Sequence, residues 1–204
     1  MVKIVLRQSH SMGTNCYGIS DGEKYIVIDP AVEYNTMDSL CEGKITAVLI
    51  THGHFDHIEK LQSYLDDTNV KVYGAKNCLE KLKNSLLNCS SYFGDDLLFD
   101  CDDRFIVVND EDNLRLLEEE IKVLENFGHT NCSVSFVIQN NMFCGDFVFA
   151  GSIGRTDLPT ASNVQMKESI KNIKNLSDNY TLYPGHGIKT TLETEKNRNP
   201  YFNV

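Results

Sequence analysis

The chain has 204 residues, a length that suits one domain and leaves little room for a second full one. Hydrophobic residues make up 41% and charged residues 24%, which is enough for a sizeable core beneath an ordinary polar surface and argues against a disordered chain. The 29 Asp and Glu outnumber the 19 Lys and Arg, and the net charge of −10 repels phosphate backbones, so we expect no nucleic-acid partner.

The seven cysteines include no Cys-x-x-Cys pair, and the first residues have neither the apolar segment nor the cleavage site of a secretion signal. No apolar stretch approaches the roughly 18 residues of a membrane-spanning helix. We therefore expect a cytoplasmic protein with reduced thiols and no membrane partner, and the sequence predicts no particular oligomeric state.

Short β-branched segments alternate with helical patterns in the first half of the chain. Four segments are predicted as strands: residues 2–6, 24–28, 45–50 and 70–73. Apolar residues at helical intervals predict helices over residues 34–41, from about Ile58, and over residues 78–86. The segment Thr-His-Gly-His-Phe-Asp-His, residues 51–57, therefore lies where a strand passes into a helix, which is a place that suits a functional site.

The second half contains one ambiguous segment. Apolar residues between 114 and 124 fall at helical intervals, yet residues 104–108 and 121–124 also fit strands. Residues 133–138 and 142–149 predict a hairpin with the Asn140-Asn141 pair at its tip, because Asn tolerates the left-handed backbone of such turns. A helix over residues 163–176, a strand over 180–183 and a polar, helical tail are predicted to follow.

A dense group of potential metal ligands lies in the His-rich segment: His52, His54, Asp56 and His57. Imidazole and carboxylate together suit zinc, iron and manganese. Side chains alternate in direction along an extended segment, so His52 and His54 point the same way and can bind one ion. Asp56 and His57 begin the following helix, project differently and can serve a second ion.

Two further His lie in glycine-framed loops next to predicted strands, His129 before one strand and His186 after another. Their positions strengthen the prediction of a metal site. The remaining one, His10, lies between Ser9 and Ser11 and is interpreted as structural or solvent-facing.

Four motifs follow one another along the chain: residues 51–57, Gly128-His129-Thr130, residues 143–146 (Phe-Cys-Gly-Asp) and residues 184–187 (Pro-Gly-His-Gly). In their order and spacing these motifs resemble the metallo-β-lactamase fold superfamily. Residues 15–17 and 26–30 look like the family's opening strands and first acidic motif, so the resemblance covers nearly the whole chain. Residues 154–159 and the last part of the chain resemble the small glyoxalase II-type hydrolases.

The resemblance implies an α/β fold, a four-layer αββα sandwich that residues 1–204 form as a single domain, without the C-terminal helical domain of a full-length glyoxalase II. It favours strands in the ambiguous segment. It also implies two divalent metal ions, zinc or else iron or manganese. By analogy, His52, His54 and His129 bind the first ion, Asp56, His57 and His186 bind the second, Asp146 bridges them, and Asp29 orients the His-rich loop from behind.

The resulting hypothesis is a metallohydrolase that cleaves a small thioester of glutathione or a similar thiol. Hydroxide generated on the metals would attack the carbonyl carbon, with Asp56 orienting it. Arg155 and Lys189 are the cations predicted to bind an anionic thiol ester.

Other activities on the same fold are weighed beside this one. A persulfide dioxygenase would use a single iron held by the residues matching His52, His129 and Asp146. A metal-binding module without turnover is a third possibility. A secreted β-lactamase is disfavoured by the missing signal and by His57, where such enzymes commonly differ. Asn131 and Cys132 stand where the family commonly has Pro and Gly, which predicts a less rigid loop after His129.

Overall fold

The computed structural model describes residues 2–41 and 43–203, whose strands form two six-stranded sheets and one two-stranded sheet. The strands are β1 (Lys3–Gln8), β2 (Asn15–Ser20), β3 (Lys24–Ile28), β4 (Lys44–Leu49), β5 (Lys71–Ala75), β6 (Phe105–Val108), β7 (Asn113–Leu114), β8 (Ile121–Glu125), β9 (Val134–Ile138), β10 (Asn141–Gly145), β11 (Val148–Phe149), β12 (Ser152–Ile153), β13 (Thr181–Pro184) and β14 (Thr190–Thr191). The helices are α1 (Tyr34–Asp38), α2 (Phe55–Ile58), α3 (Leu61–Asp67), α4 (Lys76–Leu82), α5 (Asn163–Lys174) and α6 (Leu192–Arg198), with 3₁₀ turns at Ser90–Phe93 and Pro200–Phe202.

The first sheet has the strand order β1-β2-β3-β4-β5-β6. Strands β1 to β3 are antiparallel, whereas β3 to β6 are parallel, and α1, α2 with α3, and α4 lie in the connections that such pairing requires. Strands β3 and β4 are buried along most of their length, as parallel strands covered on both faces should be.

The second sheet has the order β14-β13-β10-β9-β8-β7, in which only β10 and β13 pair in parallel. Alternate residues of β9 face opposite sides. Val134, Phe136 and Ile138 join the core shared with the first sheet, while Val137 joins a second core with α5. The layers therefore run helix, sheet, sheet, helix, and the implied αββα sandwich is confirmed.

The ambiguous acidic segment contains strands β6 and β8 rather than a helix, as the resemblance favoured. Long-range pairing decides it. Strand β8 pairs with β9 and buries Ile121 and Val123 in the shared core, and this packing outweighs the local helical spacing.

The predicted hairpin is wrong in two details. The strand expected over residues 142–149 ends at Gly145, which has a φ of +49° and leaves no room for a Cβ beside Thr51. At the tip the left-handed residue is Gln139, with a φ of +52°, because Asn141 already belongs to β10.

The helix predictions err at their ends. The helix expected from Ile58 is two short helices, α2 and α3, and α4 ends at Leu82, so that Leu86 lies outside it and is exposed. Val164 is 78% exposed, because it occupies the surface side of the first turn of α5. Among residues 2–41 and 43–203, no helix has the length and apolar character needed to cross a bilayer.

Candidate metal centre

The His-rich loop is held at the ends of two parallel strands. Asp29 follows β3, and its carboxylate accepts hydrogen bonds from the backbone N–H of Thr51 (2.8 Å), from the Thr51 hydroxyl (2.7 Å) and from Nδ1 of His57 (2.8 Å). These bonds tie the loop after β4 to β3, which is the geometry that an orienting role for Asp29 requires.

Gly53 allows a close contact between the His-rich loop and α4. Its φ lies outside the left-handed region, but a Cβ there would lie 2.7 Å from Cβ of Lys81. Only glycine therefore lets α4 approach the loop this closely.

The second sheet supplies the other three residues. His129 lies between β8 and β9, Asp146 follows β10, and His186 follows β13. Because β10 and β13 are parallel neighbours, their carboxyl ends meet at one edge of the sheet. The two sheets are joined at this edge by a hydrogen bond from the backbone N–H of Asn15 to the carbonyl of Gly185 (2.7 Å).

All seven predicted ligands come together in three overlapping groups, within each of which the donor atoms lie within 4.8 Å of one another. The groups are His52, His54 and His129; Asp56, His57 and His186; and His52, His57 and Asp146. The first two groups match the two predicted ligand sets. The third takes one His from each set and adds Asp146.

Asp146 lies between the two sets. Its Oδ1 is 3.3 Å from Nε2 of His57, and its Oδ2 is 3.6 Å from Nε2 of His129 and 3.7 Å from Nε2 of His186. Gly185 makes room for this carboxylate, since a Cβ there would lie 2.3 Å from Oδ1 of Asp146. A carboxylate placed in this way can bridge two ions.

Buried atoms without hydrogen-bond partners test whether metal ions fit here. Nε2 of His52, His54 and His57 and Oδ1 of Asp146 are all buried and make no hydrogen bond among the described residues, although the last two atoms lie 3.3 Å apart; the lack of hydrogen bonds is costly unless a ligand satisfies these atoms. The residues therefore fit divalent metal ions.

In His52 and His57, the hydrogen bond made by Nδ1 explains why Nε2 is the ring nitrogen without a hydrogen-bond partner. Nδ1 of His57 donates to Asp29. The Thr51 hydroxyl gives its single proton to Asp29, so Nδ1 of His52 donates to the Thr51 oxygen (3.2 Å). In the neutral form of both rings this leaves the Nε2 lone pair directed at the centre, as metal-binding His require.

Burial dominates the electrostatics of the first set. It lowers the pKa of His52 well below its usual value, helped by the neighbouring His57 and His54, and it lowers the pKa of His54 to about 3. Burial also lowers the pKa of His129. The three rings are therefore neutral at pH 7, which is the form that binds metals.

The second set shows the opposite balance. Burial alone would lower the pKa of His57 and His186. The charge of Asp146 raises the pKa of His57, and the hydrogen bond that His186 donates to Asp56 raises the pKa of His186. Burial alone would raise the pKa of both carboxyls, yet the neighbouring His57 keeps them below their usual range. Without metal, protonated His and ionised carboxylates neutralise one another.

Two residues of the centre carry no signal in the sequence. Thr14 donates its hydroxyl to Oδ2 of Asp56 (2.9 Å), beside Nε2 of His186 at 3.1 Å from the same oxygen. Lys81 is fully buried behind the His-rich loop, and its ammonium donates to the hydroxyl of Thr160 (2.6 Å). Lys is seldom buried, so only the packing of α4 reveals this position.

A cavity of about 330 Å³ opens onto the centre. Five predicted ligands line it: His54, Asp56, His129, Asp146 and His186. The remaining lining residues are Met12, Phe55, Cys89, Tyr92, Phe93, Arg155 and Leu158.

The two predicted substrate cations differ in position. Arg155 lines the cavity, but its guanidinium binds Asp157 through two hydrogen bonds of 2.7 and 2.8 Å, while its carbonyl accepts one from Nδ1 of His129 (2.8 Å). Lys189 is exposed, with its ammonium 5.8 Å from the ring centre of Tyr183, and it is not among the described residues that line the cavity.

The loop after His129 is held without Pro or Gly. The Thr130 hydroxyl accepts a hydrogen bond from the N–H of Cys132 (3.2 Å), and the Ser133 hydroxyl accepts one from the N–H of Thr130 (3.2 Å). Neither Asn131 nor Cys132 has a positive φ, so the loop needs no glycine at these positions.

The sequence profile of the metallo-beta-lactamase superfamily matches residues 12–186, which include all seven candidate ligands. The chain therefore belongs to the metallo-β-lactamase superfamily, whose fold binds metal ions. Within it, the chain is similar to metallohydrolases, among them hydroxyacylglutathione hydrolases.

Two relatives illustrate the similarity. A probable metallo-hydrolase from Streptococcus pyogenes is 31% identical to the chain, over 99% of the chain and 91% of the relative. The hydroxyacylglutathione hydrolase GloC from Haemophilus influenzae is also 31% identical, over 93% of the chain and 92% of the relative.

Solved structures share the whole architecture. The B3 metallo-beta-lactamase BLEG-1 aligns with a TM-score of 0.89 and 27% identity, over 99% of the chain and all of the known structure. A di-iron-bound form of TTHA1623 aligns with a TM-score of 0.83 and 26% identity, over 97% and 99% of the two chains.

Proposed function

We propose that the chain is a dinuclear metallohydrolase that cleaves thioesters of small thiols. The observation that carries the proposal is the pair of ligand groups with Asp146 between them. Similarity to the GloC hydroxyacylglutathione hydrolase supports a thioester as the bond that is cleaved. Zinc is the expected metal because imidazole suits it, and the similarity to a di-iron protein keeps iron as the alternative.

When bound, two divalent ions supply a nucleophile at neutral pH and polarise a carbonyl oxygen. The chain's own part is to orient the attacking water. Burial would raise the pKa of Asp56, but the neighbouring His57 and His186 keep it below its usual range, so this carboxylate is ionised and can accept a hydrogen bond from water. Thr14 fixes its orientation through the 2.9 Å hydrogen bond.

Hydrolysis joins the water oxygen to the acyl carbon and breaks the carbon–sulfur bond. The sulfur leaves with the bonding electron pair and takes up a proton from the water, giving a carboxylic acid and a thiol. A thiolate needs little help from a general acid, so no such residue is required beside the cavity.

The decisive experiment combines metal analysis with activity. The wild type should contain up to two metal ions per chain and hydrolyse a thioester, whereas His186→Ala should retain about one ion and lose most hydrolysis. His10→Ala is the matched control, since His10 is exposed and belongs to none of the ligand groups, and it should keep both ions.

The same assay tests the other candidates. One iron per chain in both the wild type and His186→Ala, together with oxygen uptake on glutathione persulfide, would establish the dioxygenase instead. Similarity to BLEG-1 makes a β-lactam a further substrate for comparison. Faster cleavage of the β-lactam amide than of any thioester would refute the proposed specificity, and full metal content without any turnover would favour a non-catalytic module.

A further inference from the structure

Large apolar side chains surround the entrance of the metal cavity. Tyr92 and Phe93 are each 62% exposed and Met12 is 44% exposed, and Phe55 and Leu158 complete the apolar part of the lining. Single exposed apolar residues are ordinary on protein surfaces. Several of them around one cavity, however, mark a place where an apolar ligand binds.

The segment that carries the two aromatic residues is anchored beneath them by Asn88. The buried side-chain amide of Asn88 donates to the carbonyls of Lys81 (3.1 Å) and Leu97 (2.7 Å), and its oxygen accepts a hydrogen bond from the N–H of Ser90 (2.9 Å). The start of the segment is therefore bound to α4, through Lys81, and to the residues that follow the 3₁₀ turn, through Leu97.

A backbone conformation places the two aromatic residues, and one ring contact sets the direction of Phe93. Cys89 adopts a φ of +70° and starts the 3₁₀ turn that presents Tyr92 and Phe93. The Phe93 ring packs against Phe55, the first residue of α2, with ring centres 4.7 Å apart. A wall arranged before the ligand arrives loses little conformational entropy when it binds.

The charges of the cavity do not favour an anionic group outside the metal centre. Arg155 is the one Lys or Arg among the described lining residues, and two of its three guanidinium nitrogens, Nε and Nη2, are already bound to Asp157. The carboxylates of Asp56 and Asp146 line the same cavity, and the chain as a whole carries a net charge of −10. A glutathione carboxylate would gain little there.

We propose that a subsite for an apolar group of the substrate is formed by the apolar rim, a name used here for Met12, Phe55, Tyr92, Phe93 and Leu158. The preferred substrates are thioesters that carry an aliphatic or aromatic group rather than an anionic one. This inference rests on the thioester hydrolysis proposed above. The occupant is a part of the substrate because the rim is continuous with the cavity that His54, His129 and Asp146 line.

Kinetics on a substrate series test the rim. In acyl thioesters of the neutral thiol N-acetylcysteamine, each added methylene should raise kcat/KM by about two- to fourfold, the factor expected for a buried CH₂ group, until the rim is filled. Phe93→Ala and Tyr92→Ala should flatten this dependence. A parallel series with longer alkyl thiols shows which side of the thioester the rim receives.

Tyr201→Ala is the matched control. Tyr201 is 49% exposed, lies in the other 3₁₀ turn, and is not among the described lining residues. It should keep the wild-type dependence on chain length. If kcat/KM of the wild type did not depend on chain length in either series, or if Tyr201→Ala flattened the dependence as much as Phe93→Ala, the proposed subsite would be refuted.

Ligands that bind but cannot be hydrolysed test the rim independently of the proposed reaction. Methyl alkyl ketones, which have no bond to hydrolyse, should bind the metal-loaded protein more tightly as the chain lengthens, and Phe93→Ala should remove this trend in calorimetric titrations. Such binding without thioester hydrolysis would support the rim and refute the hydrolase. Hydrolysis without chain-length-dependent binding would refute the rim alone.

Light scattering tests whether a second copy of the chain covers the rim instead. A wild-type dimer and a monomeric Phe93→Ala would assign this surface to a second copy and would also overturn the proposed substrate subsite.

Discussion

Gly185 is the residue whose replacement most directly tests the position of Asp146. A Cβ at residue 185 would lie 2.3 Å from Oδ1 of Asp146 and 2.4 Å from Cε1 of His57. Both side chains are packed among other ligands and cannot yield without leaving the centre. Gly185→Ala should therefore bind the second metal ion at least about tenfold more weakly, measured by metal titration of the metal-free protein.

Gly187 supplies the matched control for this substitution. It has a φ of +75° but no atom within 4 Å of a Cβ, so Gly187→Ala introduces backbone strain without a collision. It should cost about 1 kcal/mol of unfolding free energy and keep both metal ions. Equal loss of metal in the two variants would show that backbone strain, not the space around Asp146, governs the site.

The opposite pKa shifts of the two ligand sets predict different pH dependences for the two ions. Burial lowers the pKa of His52, His54 and His129, so they are neutral near pH 7 and the first ion displaces no proton from them. His57 and His186 have raised pKa values, against the effect of burial, because of Asp146 and Asp56, so the second ion must displace their protons.

The affinity for the second ion should therefore rise with pH between about 6.5 and 7.5, by up to about tenfold per displaced proton, while the first hardly changes. Calorimetric titrations in buffers of different ionisation enthalpy count the protons released at each step. An equal proton release for both ions would contradict the assignment of charge to the two sets.

The candidate ligand residues can be identified from the sequence, because their donor atoms and spacing indicate metal-binding chemistry. Thr14, Lys81 and Tyr92 cannot be identified in this way, because each acts through a contact with a residue distant in sequence or through exposure at a cavity. Lys189 shows that proximity along the chain does not place a side chain. It is close to His186 along the chain, but its side chain lies over Tyr183 rather than in the cavity.

At the scale of elements, the centre depends on where strands stop. The apolar residues within 142–149 predict one long strand, but β10 ends at Gly145, where the close approach of Thr51 turns the chain and delivers Asp146. Apolar residues resume directly after Gly145-Asp146, in Phe147-Val148-Phe149, so they do not mark the end of the strand. The contact that ends the strand comes from the other sheet and is invisible to local pattern.

The junction of α5 with the His129 loop can be tested by two substitutions. Gly128 has a φ of +145°, and a Cβ there would lie 2.4 Å from Cα of Met166, in the backbone of α5. Gly128→Ala should therefore lower the unfolding free energy by about 3 kcal/mol and weaken the first metal site through the adjacent His129. Urea unfolding of the metal-free protein and elemental analysis measure the two effects.

Ser162→Ala is the comparison at the same junction. The Ser162 side chain caps α5 by accepting a hydrogen bond from the N–H of Gln165 (3.3 Å). Its loss should cost about 1 kcal/mol and leave the metal content unchanged. If Ser162→Ala lost metal to the same extent as Gly128→Ala, the general stability of α5, rather than the contact at Gly128, would control the site.

For the whole molecule, local patterns predict most strands and helices but not how the layers assemble. Strands β10 and β13 pair in parallel although the whole of α5 lies between them in the chain, and this pairing brings Asp146 beside His186. No local periodicity specifies such a partner. The αββα arrangement was predictable because the order of the ligand motifs resembles a known superfamily, and the structure agrees with it.

The net charge of the molecule predicts how different thioesters respond to salt. Two divalent ions would offset less than half of the net charge of −10, so an anionic substrate is still repelled at long range. Raising the ionic strength from about 10 mM to about 150 mM shortens the Debye length from roughly 30 Å to roughly 8 Å. kcat/KM should therefore rise for an S-acylglutathione and change little for the N-acetylcysteamine thioester with the same acyl group. A fall with salt for the glutathione ester alone would mean that a cationic group, with Arg155 the first candidate, attracts it despite the pairing with Asp157.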